Sequence, residues 1–312
     1  MSFCSTTIGL TMASLSTTSS TSVLIPALPD QLRVVPVAAI QCALFRVGGT
    51  KGRRELIEAL ELSAAGGRKI TFSGIELRDD DLDVLMAIFS IAGGTQQDGA
   101  TPRPIRFSGL TILGKLDWGN TGFYYKKLAD CLNRLQRASI RISFTDEMGV
   151  HRFLQGNLIS KFAGAQDEFK SQFSVSLDLE VCRWLALDKH TLVWPERKRL
   201  SRPLAKWLHA FISTFRDSSP EGVFAAPEVD LLRQCGSSAQ SMRTFRASLK
   251  EALDQLLEEQ LIYSYKIRDG IVYVFLTEES TKQPFLFQPN SAAQQYQLAF
   301  DAARLPAEVF AL

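Results

Sequence analysis

The 312-residue sequence has little cysteine, little histidine and almost no net charge, with 35 basic against 33 acidic residues. Its five cysteines (Cys4, Cys42, Cys131, Cys182, Cys235) are dispersed and form no C-x-x-C pair. An odd, scattered set argues against a disulfide framework and fits a reducing cytosol. The three histidines (His151, His190, His209) stand far apart, so no metal centre of zinc type and no cofactor is expected. No apolar run reaches the ~18 residues that a membrane span needs. Gly48-Gly49-Thr50-Lys51 resembles a fragment of a phosphate loop but lacks the spacing that cradles a triphosphate. There is no His-x-His pair beside a nucleophilic tyrosine, and no paired carboxylates stand in an apolar context. His209 reads as a packed histidine rather than a base. These absences leave a binding protein rather than an enzyme. With 46% hydrophobic and 22% charged residues, the chain can bury a sizeable core, and its length suits one large or two ordinary domains.

What is present is a pattern of charge. Lys115 to Lys161 holds 8 basic and 4 acidic residues, and Arg183 to Lys250 holds 12 and 6. Glu55 to Asp83 has 3 basic and 8 acidic, and Glu251 to the end has 4 and 9. Concentrated positive charge inside a neutral total permits a nucleic-acid ligand.

The first 22 residues contain 13 Ser or Thr and no charge, which predicts disorder. They lack the basic start and unbroken apolar stretch of a signal peptide, and Met12 is an alternative start. Order is expected from Pro36, with Val37 to Val47 as a strand. Lys69 to Glu76 reads as a second strand. A helix then opens on Asp79-Asp80-Asp81, where its dipole favours negative charge, with Leu82, Leu85, Met86 and Phe89 inward. Ser108 to Leu116 and Thr121 to Arg137 read as helices around a turn. A hairpin follows, Ile140 to Phe144 with His151 onward, turning at Asp146 to Gly149, and Phe169 to Asp178 continues the strand pattern. Helix, turn, helix and hairpin is the winged-helix order. It recurs: helices at Ser201 to Phe215, Ala226 to Cys235, and from a Ser237 or Ser238 cap to Gln260, then a hairpin turning at Asp269-Gly270. The expected fold is α+β, with tandem winged-helix domains, β-hairpin wings and a disordered N-terminus. The expected divisions are a Ser/Thr-rich tail (1–35), a first winged-helix domain (36–180), a second, DNA-binding one (181–280) and a C-terminal tail (281–312).

Two helices carry basic stripes. On the helix from Gln240, Arg243, Arg246 and Lys250 recur at i, i+3, i+7 beside a core face of Met242, Phe245, Leu249, Ala252, Leu253 and Leu256. Such a helix suits the major groove, with arginine reaching guanine edges and lysine neutralising phosphate. The first unit offers Lys126, Lys127, Asn133, Arg134 and Arg137. The run Arg197-Lys198-Arg199 is either a phosphate-contacting segment or a solvated loop. All eleven are candidate DNA-binding residues; none is a candidate catalyst.

Several segments resemble the TrfA family of plasmid replication initiators: Leu204 to His209 (LAKWLH), Leu232 to Ser237 (LRQCGS), Arg243 to Leu256 (RTFRASLKEALDQL), Phe107 to Gly122 (FSGLTILGKLDWGNTG) and Leu128 to Ile142. The similarity runs from about Pro36 to Leu276. It implies a protein that binds double-stranded DNA repeats (iterons) at a plasmid origin, opens an AT-rich element, and engages the host replicative helicase and initiator. By analogy with such initiators it also implies a homodimer-to-monomer choice. Gln41-Cys42-Ala43-Leu44-Phe45 looks like the Q-x-x-L-F peptide with which replication proteins enter the sliding clamp. Gln41, Leu44 and Phe45 are then clamp contacts, or else Leu44 and Phe45 belong to the first core strand. Two other readings remain: a winged-helix transcription regulator, and a protein-interaction module whose basic faces meet an acidic partner.

Overall fold

The computed structural model describes residues 23–48, 53–63, 69–97, 103–145, 151–167, 170–187, 189–216 and 222–278. The Ser/Thr tract, the Asp146 to Gly149 turn and the tail from residue 281 lie outside them.

Residues 23–35 carry structure, which corrects the disordered tail drawn to residue 35. In β1 (Val23–Leu24), β2 (Leu32–Pro36) and the turn between them, Val23, Ile25, Val34 and Val35 enter the core. The Ser/Thr composition that argues for disorder stops at residue 22. The expected strand from Val37 to Val47 is instead a helical turn, α1 (Val37–Ile40), and a two-residue strand, β3 (Phe45–Arg46). Ala38 and Ala39 are buried there, and small residues permit the turn a close approach.

A hairpin of β4 (Leu56–Ser63) and β5 (Lys69–Ile75) leads through β6 (Leu77–Arg78) into α2 (Asp79–Ala92). Sequence periodicity gives α2 one inward face, but Val84, Leu85, Met86, Ile88 and Phe89 are all buried, so it runs through the middle of the core. Next come β7 (Gln96–Gln97), which pairs with β1, and β8 (Ile105–Ser108), which feeds α3 (Gly109–Leu116). Ser108 caps α3 by accepting from the Thr111 amide at 3.0 Å. α4 (Gly122–Arg137) follows, burying Leu128, Cys131, Leu132 and Leu135 as its spacing predicts.

β9 (Ser139–Thr145) and β10 (His151–Asn157) pair as the expected hairpin, but β9 also pairs with β5, giving the sheet order β10-β9-β5-β4. Ile142 lies opposite Ile70 and Ile140 opposite Phe72; such cross-strand apolar pairs hold the hairpin on that sheet. A second hairpin, β11 (Ile159–Asp167) with β12 (Lys170–Leu177), joins β8 in the order β11-β12-β8.

α5 (Leu179–Leu187) leads to β13 (Lys189–Val193), which pairs antiparallel with β2. After α6 (Trp194–Arg199) and α7 (Pro203–Ser213) come β14 (Val223–Pro227), α8 (Glu228–Gln234), α9 (Met242–Glu258), β15 (Ser264–Arg268) and β16 (Ile271–Phe275), with sheet order β15-β16-β14. The α9 cap is Ser241, not Ser237 or Ser238; its hydroxyl accepts from the Thr244 amide at 3.2 Å. Asp269 and Gly270 both have positive φ (+53° and +77°), which a tight hairpin of this twist requires.

The series α2–β8–α3–α4–β11–β12 and α7–β14–α8–α9–β15–β16 therefore share element order and strand order. In the first unit the hairpin equivalent to β15–β16 is β11–β12, and β9–β10 is an insertion. The hairpin expected from Ile140 to Phe144 and His151 onward therefore forms, but it is not the one that matches β15–β16. One continuous apolar cluster runs through both units. Cys42, Cys131, Cys182 and Cys235 lie inside it as free thiols. Burial pushes Cys42, Cys182 and Cys235 up to about 12, so they stay protonated and unreactive. Among the described residues no helix is long and apolar enough to cross a membrane.

Candidate nucleic-acid interface

α9 turns Phe245, Leu249, Ala252, Leu253 and Leu256 into the core. A core face of that spacing leaves Arg243, Arg246 and Lys250 exposed on one stripe, as the sequence predicts. Arg246 Nε donates to Glu228 Oε2 at 2.7 Å. The β15–β16 hairpin beside it exposes Lys266 and Arg268, and Tyr265 Oη, donating to Asp254 Oδ1 at 2.5 Å, ties that hairpin to α9. Sequence reasoning missed these two hairpin cations; their position next to the Asp-Gly turn was the available signal.

α4 splits its predicted residues between two faces. Lys126, Asn133 and Arg137 are exposed. Arg134 and Lys127 point instead to the start of α2. Arg134 Nε donates to Asp81 Oδ1 at 2.9 Å, and Lys127 Nζ lies 3.8 Å from Asp80 Oδ2 and over the Trp118 ring. Arg54 completes this cluster, donating to Asp80 Oδ1 at 2.6 Å and Asp81 Oδ2 at 2.7 Å. Burial raises the Asp80 carboxyl, but Arg54, with Lys127 and Arg134, outweighs it and holds Asp80 below its ordinary value. Arg134 is thereby corrected from a DNA contact to a structural cation, and Lys127 is largely engaged. Aligning the buried positions of α4 and α9 places Gly122, Tyr125 and Ala129 where α9 has Arg243, Arg246 and Lys250. The first unit does not repeat the stripe.

The run after Trp194 is corrected as well. Arg197 is 1% exposed, donating from Nε to Asp83 Oδ1 at 2.8 Å and from Nη2 to Asp79. Lys206 Nζ joins them, 3.1 Å from Asp79 Oδ2. A guanidinium sealed among α2, α6 and α7 cannot reach a ligand. Lys198 is paired with Asp117 at 2.8 Å and Arg199 with Glu259 at 3.5 Å, though both stay accessible.

Gln41, Leu44 and Phe45 are buried. Gln41 Nε2 donates to Thr214 Oγ1 at 3.0 Å, and the Val47 amide donates to the Cys235 carbonyl at 2.8 Å. The segment fastens the N-terminal region to the second unit. Of the two readings, clamp peptide and core strand, its burial agrees with a core role, although the backbone there is mostly not extended.

Comparisons with known proteins bear on this architecture. A family model described as TrfA protein matches residues 18–275. The plasmid replication initiator protein TrfA of Escherichia coli is 28% identical over 250 residues, covering 78% of this chain. The match spans 62% of that protein, less than two thirds of its length. Among solved structures, domains 2 and 3 of RctB align with a TM-score of 0.51 at 13% identity, covering 78% of this chain and 98% of that one, a likeness of fold. A family match running from β1 to β16, across both units and the basic helix α9, means that the chain belongs to the TrfA family of plasmid replication initiators.

Proposed function

We propose that the chain initiates plasmid replication as a non-enzymatic DNA-binding protein. In this reading it binds repeated duplex sites at an origin, promotes opening of adjacent duplex, and engages the host replicative helicase and initiator. The observation that carries the proposal is the exposed stripe of Arg243, Arg246 and Lys250 on a core-anchored helix beside a basic hairpin. Each unit is read as a winged helix, with α8–α9 and β15–β16 in the second and α3–α4 and β11–β12 in the first. α9 lies in the major groove, with the arginines at base edges and Lys250 at phosphate. Lys266 and Arg268 follow the backbone alongside. Lys126, Asn133 and Arg137 add contacts from the first unit, and a homodimer is the resting form.

Footprinting of the full chain on DNA flanking its own gene tests this. The expected result is protection of regularly spaced repeats, with affinity falling steeply as salt rises because bound cations are released from phosphate. Replication of a minimal plasmid carrying those repeats, with the protein supplied in trans, separates an initiator from a transcription regulator. Binding that ignores salt, or repeats that support no replication, overturns the proposal.

A further inference from the structure

Glu228 opens α8 with its side chain only 2% exposed, and its Oε1 has no hydrogen-bond partner. Its Oε2 accepts from Nε of Arg246, whose side chain is 56% exposed. A pair with one half in water returns little stability, while burying a carboxylate with an orphaned oxygen costs it. The ion pair by itself therefore does not account for the arrangement.

Geometry does. Anchoring the guanidinium through Nε fixes its plane and leaves Nη1 and Nη2 without a protein partner among the described residues. Two parallel donors in a fixed plane match O6 and N7 of guanine in the major groove. The same residue also reaches the hairpin: the Glu228 amide donates to the Gly270 carbonyl at 2.9 Å, in the turn between β15 and β16. Residue 228 thus joins the α9 arginine to the hairpin turn through one side-chain bond and one backbone bond.

We infer that Glu228 is a positioning residue for base recognition, holding Arg246 so that its two outer nitrogens meet a single guanine in register with the wing. The inference rests on the reading of α9 as the DNA-reading helix. Neutralising Glu228 removes a desolvated charge and strands no buried cation, because Arg246 is half in water. The folded state should tolerate the change while recognition does not.

The test is selection from a randomised duplex pool by the full chain, with base enrichment scored position by position. Thermal melting and binding to a poly(dA–dT) duplex are measured beside it, for wild type, Arg246→Ala, Glu228→Gln and Glu228→Ala. Wild type should enrich a motif containing a guanine that Arg246→Ala no longer selects. Both Glu228 variants should lose preference at that same position, by about tenfold, and keep the rest of the motif. They should melt at or above the wild-type temperature and bind poly(dA–dT) at least as well as wild type. A folded Glu228 variant that still selects the guanine overturns the inference, and so does a lowered melting temperature in both variants, which would make the role structural. If wild type enriches a motif that Arg246→Ala leaves intact, the positioning role falls and the DNA reading stands. If wild type enriches nothing, both fall.

Discussion

Arg197 and Arg243 carry the same charge to opposite ends. Arg197 is enclosed with Asp79 and Asp83, so Arg197→Ala leaves the buried Asp83 and the half-buried Asp79 with Lys206 as their remaining cation and should cost ~3 kcal/mol of stability in urea denaturation. Arg243 stands in solvent, so Arg243→Ala should leave the melting temperature unchanged and cost ~1–3 kcal/mol of specific binding; Lys250→Ala should reduce the salt slope of binding by about 1. His209 gives a test by pH. Burial lowers its pKa below 6.5, only partly opposed by Glu196, whose Oε2 lies 3.1 Å from Nε2. A base with a depressed folded-state pKa binds fewer protons folded than unfolded. Its contribution is therefore complete above pH 6.5 and is lost as pH falls through that value toward the folded-state pKa. Melting temperatures should drop below pH 6.5, and His209→Gln should flatten that slope. The sequence shows which residues share a helix face but not what lies across from them. Arg134 and Arg197 read as surface cations because their carboxylates are 53 and 114 residues away.

At the scale of elements, the longer amphipathic helices α2, α4, α7 and α9 were legible, while the short helices α1 and α6 and the strand partners were not. The core faces of α4 and α9 follow from 3.6-residue spacing, because apolar positions three and four apart must face one way. The β9–β10 hairpin was equally legible from its local alternation. Nothing local says that Ile140 and Ile142 face β5 rather than β8, so the hairpin that matches β15–β16 was assigned one hairpin too early. The buried Gln41 to Phe45 segment shows the same limit: its motif is short, and its packing depends on Thr214 and Cys235. The unequal α4 and α9 surfaces lead to a further prediction. Lys126 and Arg137 do not occupy the positions of the α9 stripe, so replacing both with alanine should weaken binding to all duplexes alike and reduce the salt slope, with base preference unchanged. Titrations against cognate and unrelated duplexes at several salt concentrations would check this.

For the whole molecule, the joints between the two halves decide behaviour. Asp79 and Asp83 of α2 meet Arg197 and Lys206, and β2 pairs with β13 over its full length. Heat should therefore unfold both units in one transition rather than two. A chain begun at residue 36, the expected limit of the tail, lacks most of β2 and leaves the edge of β13 open. It should melt several degrees lower, because Val34 and Val35 are lost from the core, and differential scanning calorimetry of the two chains would show it.

The β2–β13 pairing also sets a schedule. Leu32 is made some 160 residues before its partner Val193. At ~5–20 residues per second that is a wait of roughly ten to thirty seconds. Throughout it, β2 and its apolar Val34 and Val35 have no strand to join. The first half of the protein is thus synthesised in full before it can close, and its completion is timed by the arrival of the second.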